Sequence, residues 1–441
     1  MNRAMKFYFP RLMVGPLALW MLLLFANPER NVSAEPARPS QQQDEALASL
    51  KATDWPWWRG LHRNGVASAD QRPPLSWSAT ENVIWKCPVP GHGHGSPTLV
   101  GDQIFLATCH NDAQVVLCFD AETGAQQWEQ VVHQGGLVPG GNQKRSQAAS
   151  TVACDGERLF VNFHNHDAVY TTALDRDGKQ IWQTKISDYV LHQGYGSSPA
   201  VFGPLVLVSA DNKGGGAITA LERTTGDVVW RHERPEAPNY TSPIVLPVAG
   251  RHQLVFTGCD RVSSFDPLTG TPLWDIQGAT TECVTSVVTD GELIYSSGGY
   301  PENHIDAIRA DGSGEIIWEN NVRVYVPSML VKDGYLFAVA DAGIAMCFEG
   351  QTGKELWKAR LGGTFTASPV LVGDQIFAVN ESGHAFVFKA TPDEFQLVAE
   401  NQLGDEVFAS PICCRNRIYM RVAMQHDQHR QEMLFCLGET Q

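Results

Sequence analysis

The sequence predicts an all-β fold, an eight-bladed β-propeller of four-stranded antiparallel blades, on three observations. First, a glycine stands four residues before a tryptophan six times: Gly124/Trp128, Gly178/Trp182, Gly226/Trp230, Gly270/Trp274, Gly314/Trp318 and Gly353/Trp357. These pairs recur at intervals of 54, 48, 44, 44 and 39 residues, the period of an array in which one supersecondary unit is copied. Second, a serine, usually followed by proline, opens eight segments. Third, the repeats begin with a lone final strand and end one strand short, so the two ends complete one blade.

Residues 1–34 read as a secretory signal. Arg3, Lys6 and Arg11 precede an apolar run of about fifteen residues from Leu12 to Ala26, and Val32-Ser33-Ala34 is a small-residue cleavage site. The run contains Pro16 and is short for a membrane span, so no stable span is expected once the signal is cleaved. No lipoprotein cysteine follows it. The full chain has a net charge of −15, and 1–34 holds four of its basic and one of its acidic residues. A surface this acidic repels phosphate backbones, which excludes nucleic acid as a partner. Residues 35–53, polar with Gln41-Gln42-Gln43, read as a flexible linker. Residues 54–81 form an extension that packs on the propeller or covers one end.

The first full copy shows the blade. Thr98-Leu99-Val100, Ile104 to Thr108, Val115 to Phe119 and a run ending at Trp128 are four apolar, β-branched strands, A to D, separated by turn residues. Asp120-Ala-Glu-Thr-Gly124 makes the C–D turn, where the carboxylate accepts turn N–H groups and glycine takes φ > 0. Strand A opens on Ser96, Ser198, Ser242, Ser368 and Ser410, each followed by proline, and on Ser150, Ser286 and Ser328 without it. Proline is tolerated at a strand's first residue. Strand D carries Trp85, Trp128, Trp182, Trp230, Trp274, Trp318 and Trp357, with Val398 in the eighth place. Segment 82–86 (Asn82-Val83-Ile84-Trp85-Lys86) should supply strand D of the last blade and close the ring over 82–441.

The pattern Ser-Pro, apolar strand, Asp-x-x-Thr-Gly-x-x-x-Trp resembles the PQQ-like (quinoprotein) propeller repeat, over roughly 82–438. The resemblance implies that the tryptophans dock one blade onto the next. The segment Trp55-Pro56-Trp57-Trp58-Arg59-Gly60 with Asn64-Gly65 resembles a preamble of exported members. The family includes the outer-membrane-protein assembly factor scaffold, a lipoprotein, and dehydrogenases in which a vicinal disulfide stacks on PQQ and Ca²⁺ polarises the quinone.

Ten cysteines in an exported chain raise the question of disulfides. The repeats place Cys118, Cys347 and Cys436 at one strand-C position, and Cys154 with Cys414 where Val100 sits. They read as small core residues in different blades. Cys413-Cys414 lies inside strand A, where neighbours point to opposite faces, so a cofactor-stacking disulfide is not expected.

A–B and C–D turns lie on one end of the propeller, D–A and B–C connections on the other. The first set is tight. The second holds the irregular segments, including 131–149 and 298–304, and ten of the fourteen histidines. Binding belongs on that end, with His92, His94, Arg145, His164, His192, Tyr195, Tyr240, Arg323 and Tyr325 as candidate ligand-binding residues. No catalytic residue or metal site is assigned. The chain has no Gly-x-Ser-x-Gly, His-Glu-x-x-His or Gly-x-x-x-x-Gly-Lys. The expected function is a noncatalytic, monomeric binding scaffold, exported to the periplasm or beyond, that holds a protein, peptide or glycan of the cell envelope without a cofactor. The alternative is a PQQ/Ca-dependent dehydrogenase of an alcohol or sugar.

Overall fold

In a computed structural model, residues 45–427 and 429–439 are described; the signal reading falls outside them. Each predicted repeat forms one four-stranded antiparallel sheet, and there are eight. Blade 1 shows the plan, with strands Thr98–Val100, Gln103–His110, Ala113–Asp120 and Gln126–Gln134 from the axis outward. The seven that follow open at Ala153, Ala200, Ile244, Val288, Leu330, Val370 and Ile412. Blade 8 takes its outer strand from Val83–Val89, which pairs with His429–Leu437 and sets Trp85 opposite Cys436. The predicted closure is present, with the strand starting at Val83 and running three residues past Lys86.

The repeated residues hold blades together in two ways. Near the axis, the backbone N–H of one blade's opening serine donates to the hydroxyl of the next. This occurs from Ser198 to Ser242, Ser286 to Ser328, Ser328 to Ser368 and Ser368 to Ser410, at 2.7–3.0 Å. In blade 2 the position belongs to Thr151, which accepts from Ser96 and donates to Ser198, and not to Ser150. The cause is a longer A–B turn, closed by Asp155 N–H on Arg158 C=O. That turn also moves Cys154 to the place of Leu99: Cys154 pairs with Leu159 as Leu99 pairs with Ile104.

Farther out, the tryptophan indoles lie on the C–D turn of the next blade, except at Trp274. A Cβ at Gly124, Gly178, Gly226, Gly270 or Gly353 would meet the preceding tryptophan ring at 2.5–2.8 Å. The indole N–H of Trp85, Trp128, Trp182, Trp230, Trp318 and Trp357 donates to a backbone carbonyl there. Trp274 differs: it donates to Gln253 of its own blade, which passes the bond to Ala310 C=O in blade 5. In blade 7 the tryptophan register belongs to Ala399, opposite Val387, and not to Val398. The missing ring comes from the extension. Trp77 stacks on Phe377 at 6.3 Å, as Trp357 stacks on Phe337 at 6.2 Å, and Asn401 fixes its backbone.

Residues 54–73 cover the tight-turn end and touch strand A, or the turn after it, in every blade. Trp55 pairs with Leu99 in blade 1, and Pro56 C=O accepts from Cys154 in blade 2. Arg63 donates to Val201 C=O in blade 3, and Trp58 packs on Ile244 in blade 4 and donates to Ser286 in blade 5. Arg59 donates to Met329 and Pro369 carbonyls in blades 6 and 7, and Gln71 accepts from Asn416 in blade 8. Gly65 is required here. Its φ is +75°, and a Cβ would stand 2.4 Å from the Arg59 guanidinium carbon. The linker reading is corrected for 45–53. Glu45–Ala48 is a helical turn, and Leu47 and Leu50 pack onto the cores of blades 1 and 2 because apolar residues at this spacing share one side. Residues 35–44 lie outside the described ones.

Candidate functional site

The end opposite the plug carries the D–A and B–C connections. Strand A enters from this end, and the residue two before each ring hydroxyl stays partly accessible there. These are His94, Ala149, Gly196, Tyr240, Val284, Val326, Thr366 and Phe408, all half-buried. The same repeat offset thus builds a mouth, polar or aromatic at four positions and small or aliphatic at the others. Connection 135–149 straps it: Lys144 Nζ reaches Glu381 Oε2 in blade 7 at 2.6 Å, and Asn142 N–H donates to Gln193 C=O in the next connection. This strap is shorter than predicted because strand D of blade 1 runs to Gln134.

The candidate residues form three groups. His192, Tyr240, Arg323 and Tyr325 gather round Glu282, which is 3% exposed. His192 Nε2 is 3.1 Å from Glu282 Oε1, and the Tyr325 hydroxyl donates to Oε2 at 3.5 Å. Asp341 accepts the Tyr325 N–H at 2.8 Å. The Arg323 guanidinium lies 4.9 Å over the Tyr325 ring and donates to Gly299 C=O. The Tyr240 hydroxyl is buried beside Glu282; burial, then the Glu282 charge, raises its pKa. Glu282 itself escaped the sequence reading. It stands four residues before Ser286, as His92 stands four before Ser96, and that offset was legible.

The second group is His164, Arg145 and Tyr195, which line a small cavity of about 10 Å³. Tyr195 donates to Ser209 C=O at 2.9 Å, Arg145 to Val138 C=O, and His164 packs on the Tyr189 ring at 4.8 Å. Burial pulls the His164 pKa down to about 4, so it is a neutral packing residue at pH 7. The third group sits where blades 8 and 1 meet. His92 and His94 face each other at 3.0 Å between Nε2 atoms, and His94 stacks on Phe408 at 4.4 Å. Beside them Arg421 and Glu432, each 2% exposed at the side chain, pair at 2.6 Å. Several of the histidines assigned to connections lie on strands instead, His110, His133 and His164 among them, because strands B and D run long in the first two blades.

These groups offer hydrogen-bond donors, acceptors and charge. Among the described residues no three His, Cys, Asp or Glu side chains are grouped as a metal ion would need. Cys413 and Cys414 are free thiols, and they line a cavity of about 60 Å³ against Trp55, Ala67 and Gln71 of the plug. They are thus five and six residues along strand A from the mouth. Burial raises both thiol pKa values. No helix among the described residues is long and apolar enough to cross a membrane.

Residues 42–190, 142–300 and 301–392 match the family described as outer membrane protein assembly factor BamB. The BamB of Moranella endobia is 20% identical over 334 residues, 75% of this chain and 70% of its own length. A polyvinylalcohol dehydrogenase from a Pseudomonas species is 26% identical over 192 residues, 40% of this chain and 28% of that enzyme. Among solved structures, the quinohemoprotein alcohol dehydrogenase of Comamonas testosteroni superposes with a TM-score of 0.63 at 13% identity, over 90% of this chain and 82% of the other. At that identity the likeness is one of fold.

Proposed function

The chain belongs to the PQQ-like repeat propeller family described as outer membrane protein assembly factor BamB, and from that membership we propose that it is a noncatalytic scaffold for outer-membrane-protein assembly. It is exported, works in the periplasm, and holds a protein partner on its D–A/B–C end. The observation that carries the reading is the asymmetry of the axis. Residues 54–73 use up strand A backbone and side-chain groups at one end, while the other keeps a ring of half-buried residues and a rim with Tyr300, 56% exposed, and Val190, 52% exposed. Aromatic and arginine side chains round a partly desolvated centre are what protein interfaces use as anchors. The relatives named as assembly factors support the class of partner.

The test is to replace the strap 137–143 with two glycines and measure folded outer-membrane proteins in the host. The reading expects their level to fall toward that of a deletion strain. Neutral substitutions at the exposed C–D turn residues Glu122, Asp177 and Thr224 should leave the level unchanged. Equal effects from both ends would overturn it.

The dehydrogenase reading has one observation in its favour, the partial match to a polyvinylalcohol dehydrogenase. It requires a saturable absorbance change when the protein is titrated with PQQ and Ca²⁺. The scaffold reading expects none, as the cysteine pair lies against the plug.

A further inference from the structure

At the loop-rich end, between blades 4 and 5, a cleft of about 680 Å³ opens. It marks the one seam where the tryptophan clamp is relayed through a glutamine, and where Gly314 meets Ile276 instead of an indole. Asp260, Glu302, Asp306 and Glu319 line the cleft with His304 and Asn320, and no lysine or arginine does. Asp306 is 3% exposed. It pairs with no lysine or arginine among the described residues; His304 stands 3.7 Å away, Ser296 donates to it at a long 3.4 Å, and the Ala279 backbone N–H also bonds to it. His304 is 12% exposed at the side chain, and neither ring nitrogen has a hydrogen-bond partner. Burial pulls its pKa down to about 4, so a neutral imidazole leaves the carboxylate uncompensated. A buried carboxylate without a cation and a buried imidazole without a bond both cost stability. Their coincidence at a cavity wall marks a place where a ligand supplies what is missing.

We propose that this cleft takes a lysine or arginine side chain from an extended basic segment of the protein partner, with Asp306 and Glu319 as its counter-charges and neutral His304 as a hydrogen-bond acceptor. Charge complementarity selects that occupant. A neutral sugar would leave Asp306 without a cation, and a metal ion would lack a third grouped ligand among the described residues. Tyr300, exposed beside Pro301 at the lip, offers an aromatic surface to the flanking backbone of such a segment. The proposal rests on the reading that the loop-rich end receives a protein, and it names the chemistry of that contact.

The experiment titrates the purified protein with a capped hexapeptide of lysine and arginine, and with its glutamate counterpart, by calorimetry in about 50 mM salt. The expected result is saturable binding of the basic peptide alone. It should weaken about tenfold in E302Q/E319Q and in D306N, and stay unchanged in D177N, whose carboxylate is at the opposite end. E302Q/E319Q changes only exposed residues and keeps the test decisive should D306N misfold. No binding, binding that both cleft variants retain, or preferential binding of the glutamate peptide or of a neutral chitooligosaccharide would overturn the proposal. No envelope protein enters this titration. Its failure therefore removes the cleft chemistry alone, while the strap replacement judges the scaffold reading.

Discussion

Two buried ions, one at each end of the axis, are each 3% exposed and handled in opposite ways. Arg59, in the plug, has no carboxylate beside it; burial alone lowers its pKa to about 9. Its terminal nitrogens nevertheless find the carbonyls of Asn64, Met329 and Pro369, so the charge is spread over the plug and two blades. Asp306, at the seam of blades 4 and 5, has its pKa raised to about 6 by burial and opens on a cleft. The same scaffold therefore uses desolvation at one end to fasten backbone to backbone, and at the other keeps a charge waiting. Where the backbone satisfies a buried ion, removing it harms the fold. Where no cation faces it and burial disfavours its charge, removing it should help the fold and harm binding.

The contrast can be broken by substitution. Trp77→Ala should cost most, about 4 kcal/mol by urea denaturation, because it empties the indole slot that Ala399 cannot fill. A cost below about 1 kcal/mol would show that the extension merely lies on the ring. Glycines at the two ends sharpen the point. Gly65→Ala forces a Cβ into the Arg59 guanidinium and should cost about 3 kcal/mol. Gly140→Ala, in the strap at φ +89° with nothing within 4 Å of the added carbon, should cost about 1 kcal/mol from backbone strain alone.

Asp306→Asn has the opposite sign. A carboxyl whose folded pKa is raised from 3.8 to about 6 favours the fold below its unfolded value, and that contribution is lost as pH rises through 6. The variant should therefore be more stable than the parent by about 2 kcal/mol at pH 8 and equal to it at pH 4. Thermal melts at both pH values read this directly. The groups facing Asp306 are His304, Ser296, Glu319 and the Ala279 backbone N–H; Glu319 adds to the rise, and the Ala279 bond opposes it.

What the sequence made legible follows from repetition. Glycine, tryptophan and serine recur because each makes the same inter-blade contact, so blade number, closure and the opposition of the two ends could be read from spacing. Departures from the repeat were harder. Thr151 replaces Ser150 because one turn is longer, a shift that periodicity cannot register. Trp77 fills a distant slot, which a lone tryptophan in an irregular segment does not announce. The mouth histidines and tyrosines were found by their offset from the ring serines. Glu282 was missed although its offset from Ser286 matches that of His92 from Ser96; Asp306 was not legible, because a carboxylate's role there depends on the desolvation that neighbouring blades impose.

The division of labour between the ends is tested most directly by photo-crosslinking in the intact envelope. Crosslinkers placed at Tyr300 and Arg323, on the loop-rich rim, should each give an adduct with one and the same outer-membrane assembly protein. Crosslinkers at Asp177 and Thr224, exposed in C–D turns, should give none. An adduct formed equally from both ends, or from the C–D turns alone, would contradict the account.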